Sequence, residues 1–193
     1  MKKALIVIVI LAFVGYWIGS AYFSRRNQMV VKNEAVASQW HQVEVVLQRR
    51  ADLIPNLVST VKGYAAQEQT VFGDVDKARE ALLGAQTPSA AIAANNQLDG
   101  ALGHLLAIVE NYPQLKSNEN FLQLQDELAG TENRISVERK RYDDDIQDYN
   151  TYIGLFPNDI IAHIAGYQRN NAYFDASPAA QSVPQVNFPG PQN

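Results

Sequence analysis

Residues 4–23 read Ala-Leu-Ile-Val-Ile-Val-Ile-Leu-Ala-Phe-Val-Gly-Tyr-Trp-Ile-Gly-Ser-Ala-Tyr-Phe, without a charge, between Lys2-Lys3 and Arg25-Arg26. As a helix rising about 1.5 Å per residue, such a run reaches roughly 30 Å, the thickness of a bilayer's hydrocarbon core. Tyr16, Trp17, Tyr22 and Phe23 gather in its second half, where amphipathic rings settle at a membrane–water interface. The pattern predicts a membrane span from Ala4 to Phe23 within an anchor region of residues 1–28. A cleavable secretory signal is the rival, supported by the lysine start and by Gly19-Ser20-Ala21 as a cleavage site. The apolar run is longer than a signal's usual core and arginines follow it at once, which favours the anchor. The expected location is the inner membrane, crossed once. Two lysines precede the span and Arg25, Arg26 and Lys32 follow it, so the basic residues nearly balance and assign the bundle to neither side.

Working outward, the 193-residue chain leaves roughly 170 residues after the anchor, enough for one domain with a core of ordinary size. Net charge is −4, and the only compact basic groups flank the span, so the folded part lacks the basic stripe that nucleic acid requires. Cysteine is absent, which removes disulfides, thiolate metal sites and cysteine nucleophiles from consideration.

Past the anchor the apolar residues recur at helical spacing. Met29, Val36, Trp40, Val43 and Leu47 step by sevens, fours and threes along one face. A second stripe runs Ile54, Leu57, Val61, Tyr64, Glu68, Phe72, Val75, Ala78 and Leu82, and ends at Gly84. After Pro88 a third comprises Leu98, Leu102, Leu105, Val109 and Tyr112. The longest runs from Phe121 through Leu128, Thr131, Ile135, Glu138, Tyr142, Ile146 and Tyr149 to Ile153, before Pro157. No segment sustains period-2 alternation. The expected fold is all-α: an N-terminal transmembrane helix, an antiparallel four-helix bundle over 29–156 and an irregular tail. Ser24 to Gln28 contain neither proline nor glycine, so the membrane helix is free to continue into the bundle as one rod. Within 157–176, Asn158 to Ala165 can form a short helix capped by Asn158. Residues 177–193 carry Pro178, Pro184, Pro189 and Pro191 with almost no charge, an extended or disordered tail. Its alternating stretch Val183 to Phe188 could dock on a partner.

The densest polar patch is Gln48-Arg-Arg-Ala-Asp-Leu-Ile-Pro-Asn-Leu-Val58. Pro55 lacks the donor a helix interior needs, so it predicts a corner in which Asp52 caps a new helix and Arg49 and Arg50 face the end of the preceding one. The functional alternative makes Arg49, Arg50, Asp52 and Asn56 a polar site for an anion or a neighbouring subunit, and it is the weaker. Glu138 falls on an apolar line, where it is expected to pair with Arg49 or Arg50 and fix the helices' register. A Glu68–Glu138 acid–base pair is disfavoured because no nucleophile or cofactor motif accompanies it. Asp143, Asp144 and Asp145 lie mid-helix and point in three directions, a solvated face or one that pairs with another subunit, and not a calcium loop. Di-iron bundles need Glu-x-x-His on two helices, and none of His41, His104 and His163 follows a glutamate by three. No phosphate-binding, dinucleotide or serine-nucleophile motif occurs, so neither catalytic nor metal-ligating residues are assigned and no cofactor is expected.

Several stretches together resemble the LemA family. They are Trp40 to Val58, Val61-Lys-Gly-Tyr-Ala-Ala66, Asn96-Gln-Leu-Asp-Gly-Ala-Leu-Gly103 and Leu105-Leu-Ala-Ile-Val-Glu-Asn-Tyr-Pro-Gln-Leu-Lys116. Further matches are Asn118 to Leu128, Gly130-Thr-Glu-Asn-Arg-Ile135, Arg141-Tyr-Asp143, Tyr149-Asn150 and Phe156-Pro157. The resemblance covers about residues 4–188 in the family's order. Ala51, where tyrosine or histidine is usual, and Asn187, where an acidic residue is usual, depart from it. It implies one N-terminal span and an antiparallel helical bundle, without catalytic residues to carry across and with an unassigned biochemical role. A relative acts in forming magnetosome membranes, which implies membrane shaping or scaffolding.

The resulting expectation is a membrane-anchored scaffold whose partners are membrane lipids and further copies of itself. Trp40 and an aromatic ladder of Tyr142, Tyr149, Tyr152 and Phe156 are expected to hold neighbouring bundles together. The alternative is an adaptor presenting its bundle and tail to another membrane or envelope protein. An enzyme is the least favoured.

Overall fold

The computed structural model describes residues 2–174. The tail of residues 177–193, with the docking stretch Val183 to Phe188 expected within it, lies outside the described residues. One helix, α1, spans Lys2–Lys62, 61 residues and about 90 Å. Its N-terminal third carries the only described helical stretch apolar and long enough to cross a bilayer, and none of that stretch is buried. From Met29 onward one face turns inward: Met29, Val36, Val43, Arg50 and Leu57 recur by sevens, interleaved with Trp40, Leu47, Ile54 and Val61, all buried. That spacing keeps one seam facing a partner helix over the whole length.

The partner is α5, Glu119–Gly154, capped by Asn118, whose Oδ1 accepts the Phe121 amide at 3.0 Å. It runs antiparallel to α1 and supplies Phe121, Ile135, Tyr142, Ile146, Tyr149 and Ile153 to the core. Contacts descend α5 as they climb α1: Arg25 meets Asn158 beyond the helix end, Lys32 meets Asp148, and Gln39 meets Glu138. Further up, Arg50 meets Glu132, and Tyr64 receives the Asn118 amide. The register is thus fixed by polar pairs at both ends and in the middle of an apolar seam.

Two shorter helices, α2 (Gln69–Leu83) and α3 (Pro88–Val109), form a hairpin packed mainly through α2 on the upper half of α1. Thr87 caps α3 by accepting the Ala90 amide at 3.2 Å, with Pro88 in the first turn. A single turn, α4 (Pro113–Lys116), leads into α5. Beyond α5, α6 (Asn158–Ala165) rests on both α1 and α5. Gly166, at φ 79°, ends it in the left-handed conformation and reverses the chain. Residues 167–174 then run back along α5 without regular secondary structure.

Two expected boundaries are corrected. The chain does not turn at Pro55, which lies inside α1, and Asp52 caps nothing: it is exposed and accepts from Gln48 one turn earlier, at 2.8 Å. The break falls instead at Gly63–Glu68, where Gly63 follows the last helical residue. The apolar steps stay in helical phase across this break, so spacing alone does not reveal it. Tyr64, expected on the buried line, is 41% exposed. Asn158 is not the cap of α6 but its first residue: its Nδ2 donates to the Tyr152 carbonyl at 3.0 Å, tying α6 to the end of α5.

Candidate functional site

Position 50 belongs to the heptad line of α1 that otherwise carries Met29, Val36, Val43 and Leu57, so the helix delivers a guanidinium into the core, 7% exposed. A buried charge without partners is costly, and Arg50 has three. Nη2 pairs with Asp99 Oδ1 at 2.6 Å, and Nη1 with Glu132 Oε2 at 2.7 Å. Nη1 also donates to Asn95 Oδ1 at 3.2 Å, and Asn95 Nδ2 in turn donates to Asp99 Oδ2 at 3.2 Å. Asp99 and Asn95 lie on α3 and Glu132 on α5, two helices that do not pack along each other. The planar fork of one arginine therefore joins three helices, a task a lysine's single ammonium could not match. Where α3 and α5 stay apart, a groove of about 290 Å³ opens over Arg50 and Leu57, walled by Leu102, Leu106, Leu128 and Ala129.

The four residues of the proposed polar site do not converge. Arg50 points inward and turns both terminal nitrogens to carboxylates and an amide, whereas Arg49, Asp52 and Asn56 are exposed on other faces of the same helix. The expected pairing of Glu138 with Arg49 or Arg50 is also corrected. Glu138 accepts from Gln39 Nε2 at 2.7 Å and pairs with Arg141, at 3.0 Å, one turn along its own helix. The antiparallel register puts Gln39, not Arg50, opposite it. Glu68 accepts from the Tyr112 hydroxyl at 3.4 Å at the far end of the bundle, so the two glutamates do not meet. Among the described residues no three His, Asp or Glu side chains gather as a metal set requires.

Pro55 survives inside α1 because another residue replaces its missing donor. The Ala51 carbonyl, which an amide at position 55 would ordinarily reach, accepts Arg79 Nε of α2 at 2.8 Å. Ala51 is fully buried, and without Arg79 its oxygen would face the core unpaired.

Two members of the aromatic ladder, Tyr142 and Tyr149, are buried within one protomer and do not face a neighbour, while Tyr152 is half-buried. Tyr142 is 1% and Tyr149 3% exposed, and of the four only Phe156, at 81%, stands clear. Trp40 lies 5.2 Å from Tyr142 and 6.3 Å from Phe174, ring centre to ring centre, and its Nε1 donates to Glu44 at 2.7 Å. Burial pushes the Tyr142 phenol up to about 12. Phe174 is brought there by the returning segment. Asn150 donates to the Asn170 carbonyl at 2.7 Å and accepts its amide at 2.8 Å, while Tyr149 donates to Gln168 O at 3.0 Å. The Phe174 amide ends on Asp143 at 3.0 Å, and the Arg139 guanidinium lies 4.4 Å from the ring's centre. Of the other aspartates, Asp144 pairs with Lys140 at 2.6 Å, and burial, then Asp148 and Asp144, raises the Asp145 carboxyl.

Asn95, Asp99, Glu132 and Arg79 escape a reading of the sequence by stripes. Two signals point to them nonetheless. Arg50 falls in phase with the sevenfold line, which demands carboxylates from neighbouring helices, and a proline in a helix demands a donor for the carbonyl four residues back.

A long apolar-headed helix running into a helical bundle held by one buried arginine defines a membrane-associated helical protein with a structural core. The chain belongs to the LemA family, whose profile matches residues 39–188. It is 28% identical over 215 residues to magnetosome protein MamQ of Magnetospirillum gryphiswaldense, covering 96% of this chain and 77% of that protein. It is likewise 28% identical over 205 residues to magnetosome proteins MamQ 1 and MamQ 2 of Paramagnetospirillum magneticum, covering 93% of this chain and 74% of each.

Proposed function

We propose that the protein is a non-catalytic, single-pass scaffold of the bacterial inner membrane, which self-associates through its bundle to organise or shape the bilayer. The observation that carries this reading is the continuity of α1, which passes from the apolar segment through Gly19-Ser20-Ala21 and into the bundle without a break. A cleaved signal has no need of a helix shared with the mature domain. Arg50 contributes too: both of its terminal nitrogens pair with side chains of other helices, which suits a structural core better than a reactive site. Similarity to proteins named for the magnetosome supports a role at a membrane.

Because Trp40, Tyr142 and Tyr149 are buried internally, lateral contact must use other surfaces, of which exposed Val31, Val45 and Val137 on the long helices are available. Extraction in mild detergent followed by mass photometry and electron microscopy tests the proposal. Large homo-oligomers that survive removal of residues 177–193 are expected. Particles of one bundle would end the scaffold reading and leave the adaptor, whose own signature is a partner lost on deleting that tail.

A further inference from the structure

We infer that the α5–α6 corner and α6 form a second membrane contact, seating Leu155, Phe156, Ile160 and Ile164 in the lipid headgroup–acyl boundary beside the span. These four residues are 57%, 81%, 51% and 72% exposed, the densest apolar exposure on the described molecule outside the N-terminal segment. Their position specifies the occupant. Arg25, two residues beyond Phe23, donates to Asn158 Oδ1 at 2.8 Å, so α6 begins at the level where α1 leaves the apolar segment. Lys32, one further stretch up α1, pairs with Asp148 and lies 5.3 Å from the centre of the Tyr152 ring, which fixes the end of α5 at the same height. The patch is thus continuous with the surface that lipid covers if residues 4–23 span the bilayer, and the inference rests on that reading.

The faces of α6 agree. Asn158 and Ala162 point into the bundle, Ile160 and Ile164 point outward on the opposite side, and Asp159 and His163 occupy the exposed flank between them. A helix buried on one side, apolar on the other and polar along its edge fits one lying in the plane of an interface. Arg26, exposed, stands at this same level of α1, where it meets headgroup phosphates. A span alone would leave the bundle free to lean in any direction. A span with α6 set into the interface holds it at one height and one heading.

The chain lacks cysteine, so single-cysteine nitroxide labelling reports one site at a time. Full-length protein carrying Val9→Cys, Ile160→Cys, Ile164→Cys or Leu122→Cys is reconstituted into phosphatidylethanolamine–phosphatidylglycerol vesicles. Collision with oxygen, enriched in lipid, is then compared with collision with a water-soluble nickel chelate. Positions 160 and 164 are expected to give an oxygen-to-nickel ratio roughly threefold or more above that of position 122, which lies at the far end of the bundle. A water-like ratio at 160 and 164 with a lipid-like ratio at 9 overturns the second contact and leaves the span intact. Low collision with both reagents at 160 and 164 overturns it in favour of packing against protein. A water-like ratio at position 9 removes the span itself, and this inference falls with it. Both α6 sites are at least half exposed, so the label displaces no core contact.

Discussion

Pro55 and Arg79 are one device made of two residues. Removing the arginine orphans a buried carbonyl, and leaving such a group unpaired costs about 1–3 kcal/mol. Arg79→Ala is therefore expected to lower the thermal stability of the full chain in detergent by that amount. Adding Pro55→Ala restores an amide to the Ala51 carbonyl, so the double variant should regain most of the loss in a circular-dichroism melt. Equal destabilisation in both backgrounds would refute the pairing. Arg50 makes the complementary case. Truncating it to alanine leaves two partly exposed carboxylates without their cation and a gap in the core, an effect of about 1–3 kcal/mol after solvent screening, whereas Arg50→Met combined with Asp99→Asn and Glu132→Gln should fold with stability near that of the parent. Tyr142 supplies a pH signature. Its phenol is held up at about 12, so between the ordinary tyrosine value near 10 and that point the unfolded chain ionises first. Stability then falls as pH rises through this window, by about 2 kcal/mol at pH 12 from this group, and Tyr142→Phe should lack that part of the alkaline loss in denaturant titrations.

Among the elements, the returning segment 167–174 is held by few atoms and covers much. It has no helix of its own, and its grip on α5 centres on Asn150, which bonds both backbone groups of Asn170. Asn150→Ala is expected to free it and lift Phe174 from Trp40. In a Trp17→Phe background this should appear as a red-shifted, more quenchable emission from Trp40, with faster hydrogen exchange over 167–174. An unchanged spectrum would mean that the aromatic contacts alone suffice. The helices themselves were largely legible in the sequence, because a seam buried over many turns leaves a periodic trace. Their boundaries were not, since Pro55 is rescued from a distant helix and the true break at Gly63–Glu68 keeps the phase of the stripe. The segment after Gly166 was illegible for a related reason: it is held by backbone bonds to Asn150 and Tyr149, which leave no pattern in its own residues.

Across the whole molecule, α1 is the axis against which everything else is measured. α5 lines its full bundle length, the α2–α3 hairpin backs its upper half and α6 braces its base. The antiparallel plan follows from sequence, but the register does not, because apolar stripes seven residues apart fit together equally well after a slide of two turns. Polar pairs break that degeneracy, and the partners of Arg50 became identifiable only once the register was set. The buried aromatic positions illustrate the same limit: spacing shows which face they share, not whether that face meets the same chain or another.

The absence of a joint between the apolar segment and the bundle has a mechanical result. Beyond Phe23, α1 extends for about 60 Å as a single stiff shaft, so leaning its lower part by 10° carries the upper end sideways by about 10 Å. Spanning helices lean further in thinner bilayers. With residues 4–23 in lipid, a small change in bilayer thickness becomes, along the heading that α6 sets, a displacement about the size of a helix diameter, read out well away from the headgroups.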